Sequence, residues 1–163
     1  MTKKIIIPII ATALFIVAVG LFIQKAQIRT PLQETPQEEP SVTINNTEIS
    51  VRLARTQPER EKGLSGISSL EAKSGMLFIF ENKEISPVFW MKDTLIPLDI
   101  IWIADGKIVR IDKNVPVPSA DTPTNKIPTY TAGRPVDYVL EVNAGFSESN
   151  SIKTGDSVSI SGI

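Results

Sequence analysis

Asp99 and Glu141 are the carboxylates best placed to do chemistry in this chain, because each stands inside an apolar run. Asp99 alternates in phase with Ile101 and Ile103, while Leu98, Ile100 and Trp102 fill the opposite face. Both faces of that strand therefore read as buried. An isolated buried carboxylate is costly, so Asp99 needs hydrogen-bond partners or a raised pKa. Two readings stay open for it. It accepts backbone N–H groups and locks a loop, or it serves ligand binding or acid–base work. Glu141 shares a face with Val139, and Tyr138, Leu140 and Val142 line the other side. It reads either as a solvated edge-strand glutamate or as the partner of Asp99 in a carboxylate pair able to do acid–base catalysis.

Phe89-Trp90-Met91-Lys92-Asp93-Thr94 is the best candidate for a recognition surface. Aromatic rings stack on sugars and other apolar faces, and neighbouring polar groups orient hydroxyls. Trp90, Lys92, Asp93, Thr94 and Asp99 are thus the candidate ligand-binding residues. The competing reading puts Phe89 and Met91 in the core and pairs Lys92 with Asp93 across a turn. Gly63 to Gly66, Gly75 and a proline-rich loop could rim the site, or serve ordinary turns. Lys92 as a nucleophile would need a desolvated pocket and a lowered pKa.

Composition removes many alternatives. The chain has 163 residues, a net charge of −1, no histidine and no cysteine. Without cysteine there are no disulfides, thiol nucleophiles or cysteine-ligated metals. Without histidine a Ser-His-Asp triad is impossible, and the commonest general base is missing. No cofactor is expected. A metal could enter only as a hard cation on oxygen ligands, and no ligand set for one is assigned. Near-neutral charge argues against a nucleic-acid partner, which normally requires a basic patch.

The elements that must position these residues read mostly as strands. Val42 to Ile44, a turn at Asn45-Asn46 and Thr47 to Ala54 form a hairpin with Ile49, Val51 and Leu53 on one face. Thr56-Gln57-Pro58-Glu59 is a capping box opening a short helix that Gly63 ends. Met76 to Phe80 and Leu98 to Ile103 are buried strands, and Asp105-Gly106 turns the chain into Lys107 to Ile111. Val115 to Pro128 is a long ordered loop or flap. Strands follow at Asp137 to Val142 and Ser157 to Ile160, with a turn of helix between them in Gly145 to Ser151. The fold class is mainly β: a small single-domain barrel or sandwich over residues 41–163, with one or two short helices.

Gly63-Leu64-Ser65-Gly66, Gly75-Met76-Leu77-Phe78, Phe89-Trp90-Met91-Lys92, Thr94, Pro97-Leu98-Asp99-Ile100, Tyr138-Val139-Leu140-Glu141, Ala144-Gly145 and Gly155-Asp156 stand in this order along the chain. The order resembles the DUF-192 family (domain of unknown function 192) over about Ser50 to Ile160. The resemblance implies one small β-rich domain, often behind an N-terminal signal or anchor. It implies no activity, because the family's own is unassigned. Two positions depart from the family pattern. Ile67 stands where arginine is frequent, and Asp93 where asparagine is usual, so a role needing either group does not carry over.

Residues 5–23 are uncharged and almost wholly apolar, with Lys3 and Lys4 ahead of them. As a helix this stretch reaches roughly 28 Å, the thickness of a bilayer core. An N-terminal membrane anchor over residues 1–23 is the expectation. A cleaved signal peptide is the rival, with small residues at Ala18-Val19-Gly20 but Leu-Phe-Ile directly after them. Residues 24–40, rich in proline and glutamate, read as a tether spanning up to roughly 50 Å. Together these features predict a single-pass membrane protein with its β domain on the extracytoplasmic side, binding an envelope glycan or protein. Two alternatives are a metal-independent hydrolase or lyase using Asp99 and Glu141, and a structural accessory of another membrane protein. A periplasm-active reporter fused after Ile163 should therefore be active, with the product in the membrane fraction; a soluble cytoplasmic product would refute the anchor.

Overall fold

The computed structural model describes residues 38–80 and 86–163. The expected anchor, and residues 24–37 of the expected tether, lie outside them. No helix among the described residues is long and apolar enough to cross a membrane.

The described residues form nine strands, two short helices and one 3-10 turn. In chain order they are β1 (Ser41–Ile44), β2 (Thr47–Ala54), α1 (Gln57–Lys62), β3 (Ser74–Ile79), β4 (Phe89–Trp90), β5 (Leu98–Ala104), β6 (Lys107–Val115), the 3-10 turn (Thr124–Lys126), β7 (Thr129–Tyr130), β8 (Tyr138–Asn143), α2 (Phe146–Ser149) and β9 (Val158–Ser161). Seven strands form one sheet in the order β6-β5-β8-β3-β2-β1-β9. Its pairings are antiparallel except β2 with β3, which are parallel and joined through α1. The sheet curls into a half-barrel whose edges meet at one end. There Lys107 bridges Ser157, the Val158 N–H donates to the Gly106 carbonyl (2.9 Å), and the Gly155 N–H donates to the Ile108 carbonyl (2.8 Å). The mainly β class with two short helices is thus as expected. β4 and β7, two residues each, form a separate ribbon that residue periodicity is too short to reveal.

Turn chemistry sets the hairpins. Asp105 (φ 51°) and Gly106 (φ 67°) both occupy the left-handed region, the geometry of a tight turn between β5 and β6. The capping box forms as read. The Glu59 N–H donates to Thr56 Oγ1, and the Thr56 N–H donates back to Glu59 Oε2 at 2.8 Å. The Thr56 and Arg55 N–H groups, both donating to Glu59 Oε2, hold its carboxyl below the ordinary pKa.

β5 is buried along its whole length. Its two faces enter different cores. Ile101 and Ile103 join Val42, Ile44, Ile49, Leu77, Leu140 and Val142 inside the curl. Leu98, Ile100 and Trp102 join Met76, Phe78, Met91 and Val139 on the outer face, which chain segments between strands cover. Edge-to-face contacts tie Phe89 into the outer core, 4.8 Å from Phe78 and 5.4 Å from Trp102 between ring centres. Trp102 Nε1 donates to Asp112 (2.7 Å), which also pairs with Arg110.

Asp99 is fully buried on the inner face and satisfied by the backbone. The β5–β6 register slips between Leu98, opposite Val115, and Ile100, opposite Asp112. The slip leaves Asn114 bulged with φ 51°, and its N–H donates to Asp99 Oδ1 at 2.8 Å. The N–H groups of Gly145 (3.1 Å to Oδ1) and Ser147 (2.9 Å to Oδ2) also donate to this carboxylate. α2 begins at Gly145, whose hydrogen side chain cannot cap it. Asp99 therefore caps α2 from a distant strand while filling the gap that the bulge opens in the ladder. Of its two open readings, the loop-locking one matches these contacts. Asp99→Ala should lower unfolding free energy by about 3 kcal/mol, because three N–H groups, one buried and two partly buried, lose a charged acceptor. Chemical denaturation measures this, and a variant as stable as the parent would refute the locking role.

Candidate functional site

Two turns build a cleft on the outer face of the sheet. The first, Gly63 to Gly66, follows α1. The second, Met91 to Thr94, follows β4. They are tied by the Gly66 N–H donating to the Asp93 carbonyl (2.9 Å) and by Ser65 Oγ donating to the Lys92 carbonyl (3.1 Å). Thr94, also buried, turns its hydroxyl toward that carbonyl at 3.5 Å. Asp93 holds φ at 56°, a left-handed conformation that Asn and Asp tolerate better than most residues. Gly63, at φ 46°, lets the backbone run against the Phe78 ring, since a Cβ there would lie 3.3 Å from the ring edge.

The cleft between these turns has a volume of about 250 Å³. Phe78, Phe80 and Phe89 wall it, and Val88 and Trp90 stand at its mouth, 64% and 44% exposed. Glu141 lies at its floor. Arg60, Glu61 and Lys62 line it from α1, and Lys92 and Thr94 from the second turn. Lys92 Nζ lies over the Trp90 ring, 5.5 Å from its centre. The Arg60 guanidinium stacks on Phe80 at 5.3 Å and donates to the Ile79 carbonyl at 3.3 Å.

Glu141 is not a solvated edge residue. β8 runs between β5 and β3, and Glu141 stands opposite Ile100 on one side and Met76 on the other. It is 5% exposed and has no hydrogen-bond partner among the described residues. Burial in this apolar setting raises its pKa from the ordinary range to about 8. At neutral pH it is therefore mostly a neutral acid that can donate a hydrogen bond. Gly75 makes the close packing beneath it feasible, because a Cβ there would lie 2.6 Å from the Glu141 carbonyl oxygen.

Of the candidate ligand-binding residues, Trp90, Lys92 and Thr94 line this cleft, and Glu141, read from sequence as an edge residue or a catalytic partner of Asp99, lines it with them. Asp93 shapes the turn behind it. Asp99 does not reach it: Asp99 stands opposite Val142 on the inner face, while Glu141 stands opposite Ile100 on the outer face. The two carboxylates are therefore not brought together as a pair. Gly63 and Ser65 rim the cleft, whereas Gly75 and the 115–128 loop do not line it. The sequence reading missed Arg60 and Lys62. α1 buries none of its residues, so no apolar pattern marks its inward side. The one available signal was that its capping box leads straight into the Gly63 turn.

The family model DUF192, described as Uncharacterized ACR, matches residues 40–160, and the chain belongs to this family. A solved structure from Sinorhizobium meliloti 1021, provisionally assigned as a transcription regulator, is similar at 30% identity with a TM-score of 0.65. The match covers 76% of this chain and 93% of that one. A protein of unknown function from Novosphingobium aromaticivorans DSM 12444 is similar at 33% identity and TM-score 0.64, over 73% of this chain and 83% of that one. Comparison with curated proteins gives no match.

Glu141 also makes stability depend on pH. Its folded pKa lies above its unfolded value, so its contribution is complete below about 4.5 and declines as pH rises toward 8. Within that window the loss should approach roughly 1.4 kcal/mol per pH unit, and it should level off above the folded pKa. Glu141→Gln, which cannot ionise, should remove this slope. Denaturant titrations of both proteins from pH 5 to 9 check the prediction.

Proposed function

We propose that this domain is a binding module at the cell envelope, held to the membrane through residues 5–23, with its ligand in the cleft between the Gly63 and Lys92 turns. The observation that carries the reading is the half-exposed Trp90 beside Lys92 at the mouth of a cleft floored by a buried acid that has no hydrogen-bond partner among the described residues. A domain serving structure alone gains nothing from an exposed indole or from a buried carboxyl set under an open cleft. Such features favour a ligand that covers the aromatic ring and satisfies the acid. The hydrolase or lyase alternative needs two carboxylates poised together, and Asp99 lies on the far face of the sheet. The regulator assignment of the Sinorhizobium relative is not carried over, because a net charge of −1 does not favour binding to phosphate backbones.

The test is a chemical-shift survey of the full chain against a panel of envelope saccharides and short peptides. Shifts should cluster at Gly63 to Ser65, Phe89 to Thr94 and Glu141, and Trp90→Ala should abolish them. Shifts confined to another face, or none across the panel, would overturn the reading.

A further inference from the structure

Building on the binding role proposed above, we infer that the cleft takes an acidic sugar of about one ring, with a neutral acceptor group held at depth by Glu141 and a carboxylate held at the mouth by Lys92 and Lys62. Three features of the cleft converge on this chemistry.

Its size limits the ligand. About 250 Å³ lies below the usual range for drug-sized sites and suits one ring with short substituents. Its depth selects against charge. The floor is built from Phe78, Phe89 and Glu141, and Glu141 has only Met76 and Ile100 as its cross-strand neighbours. An ionic group placed there would lose its water without gaining a counter-charge. A carbonyl, such as that of an acetamido group, instead accepts the proton of the neutral acid. That bond also supplies the partner that Glu141 lacks among the described residues.

The mouth selects the opposite. Among the described residues, Arg60, Lys62 and Lys92 line it with Glu61 as the one carboxylate besides Glu141. With Glu141 protonated, the balance favours an anion. Arg60 is already stacked on Phe80 and bonded to backbone carbonyls, so Lys62 and Lys92, both exposed, are the cations left to receive it. Lys92 hovers over Trp90, which sets its ammonium beside any ring packed on the indole. A cationic ligand would meet like charge on two sides of the opening.

Proton occupancy on Glu141 then governs affinity. Among the described residues the titratable groups lining the cleft with it are Arg60, Glu61 and Lys62 from α1 and Lys92 from the second turn; its cross-strand neighbours on β3 and β5 are apolar. Between pH 6 and 9 Glu141 passes through its value of about 8.

Calorimetric titration of the full chain with N-acetylmuramic acid and with N-acetylglucosamine tests the inference. The two share a ring and an acetamido group, and only the first carries a carboxylate. The acidic sugar should bind at least about tenfold more tightly. Its affinity should fall roughly tenfold from pH 7 to pH 9. Glu141→Gln keeps a donor and should remove that pH dependence. Lys92→Ala, an exposed substitution, should weaken the acidic sugar by a clearly larger factor than the neutral one. Equal binding of the two sugars, or no effect of Lys92→Ala, would overturn the acidic-ligand assignment while leaving the cleft a binding site. A pH profile that persists in Glu141→Gln would overturn the role of Glu141. Failure of both sugars to bind would overturn the sugar class; shifts from other panel members at the same residues would then keep the binding role, and their absence would remove it as well.

Discussion

The domain is organised by one constraint: β3, β5 and β8 carry large apolar side chains on both faces, and neither face can be left to water. Curling the sheet solves the problem on one side, because β1, β2, β6 and β9 wrap around Leu77, Ile101, Ile103 and Leu140. On the other side the described residues include only the short β4–β7 ribbon as a second sheet, which lays Phe89 and Tyr130 against part of it. Leu64, Met91 and Val136, from the segments between strands, and Val115 at the end of β6 cover the rest. Burying those residues removes on the order of 2 kcal/mol of unfavourable hydration for each large side chain. The cleft lies where this irregular cover is incomplete. Site and core are thus products of the same requirement.

The two buried carboxylates show how differently a β-sheet can treat the same group. They occupy neighbouring strands, one residue pair apart in register, yet face opposite ways. Asp99 meets a ladder gap and a helix start, both of which present N–H donors. Glu141 meets methionine and isoleucine side chains and a cleft. The first is held by the backbone, and the second has only its proton. A carboxylate without donors above an apolar layer raises its pKa, and this environment sets Glu141 apart from every other acid in the described domain whose pKa departs from the ordinary range.

Much of this was legible in the sequence, where the controlling physics is local. Strict alternation through Leu98 to Ile103 announced that Asp99 lies within doubly buried strand, and Thr56 with Glu59 announced a capped helix. The strand carrying Glu141 and the face it shares with Val139 were also legible. Its central place was not, because pairing between residues some forty to sixty positions apart leaves no local mark. For the same reason Asp99 and Glu141 read as potential partners, although one step of alternation separates their faces. The departures from the family pattern are also intelligible. Ile67 adds apolar surface to the outer core, and Asp93 meets the backbone requirement of its turn without an amide.

The ends of the folded region lie side by side. Ser41 pairs with Ser161, and the Glu38 carbonyl lies against Gly162, so closely that a Cβ on that glycine would stand 2.6 Å from it. Chain order therefore matters less to this fold than strand pairing does. A short peptide joining position 162 to position 38 would close the domain into a ring, and fresh termini could be opened at the exposed Asp105-Gly106 turn. The same adjacency means that the domain could be inserted whole into a surface loop of another protein, entering and leaving through a single narrow neck. Whatever is attached at either end leaves from one corner of the domain.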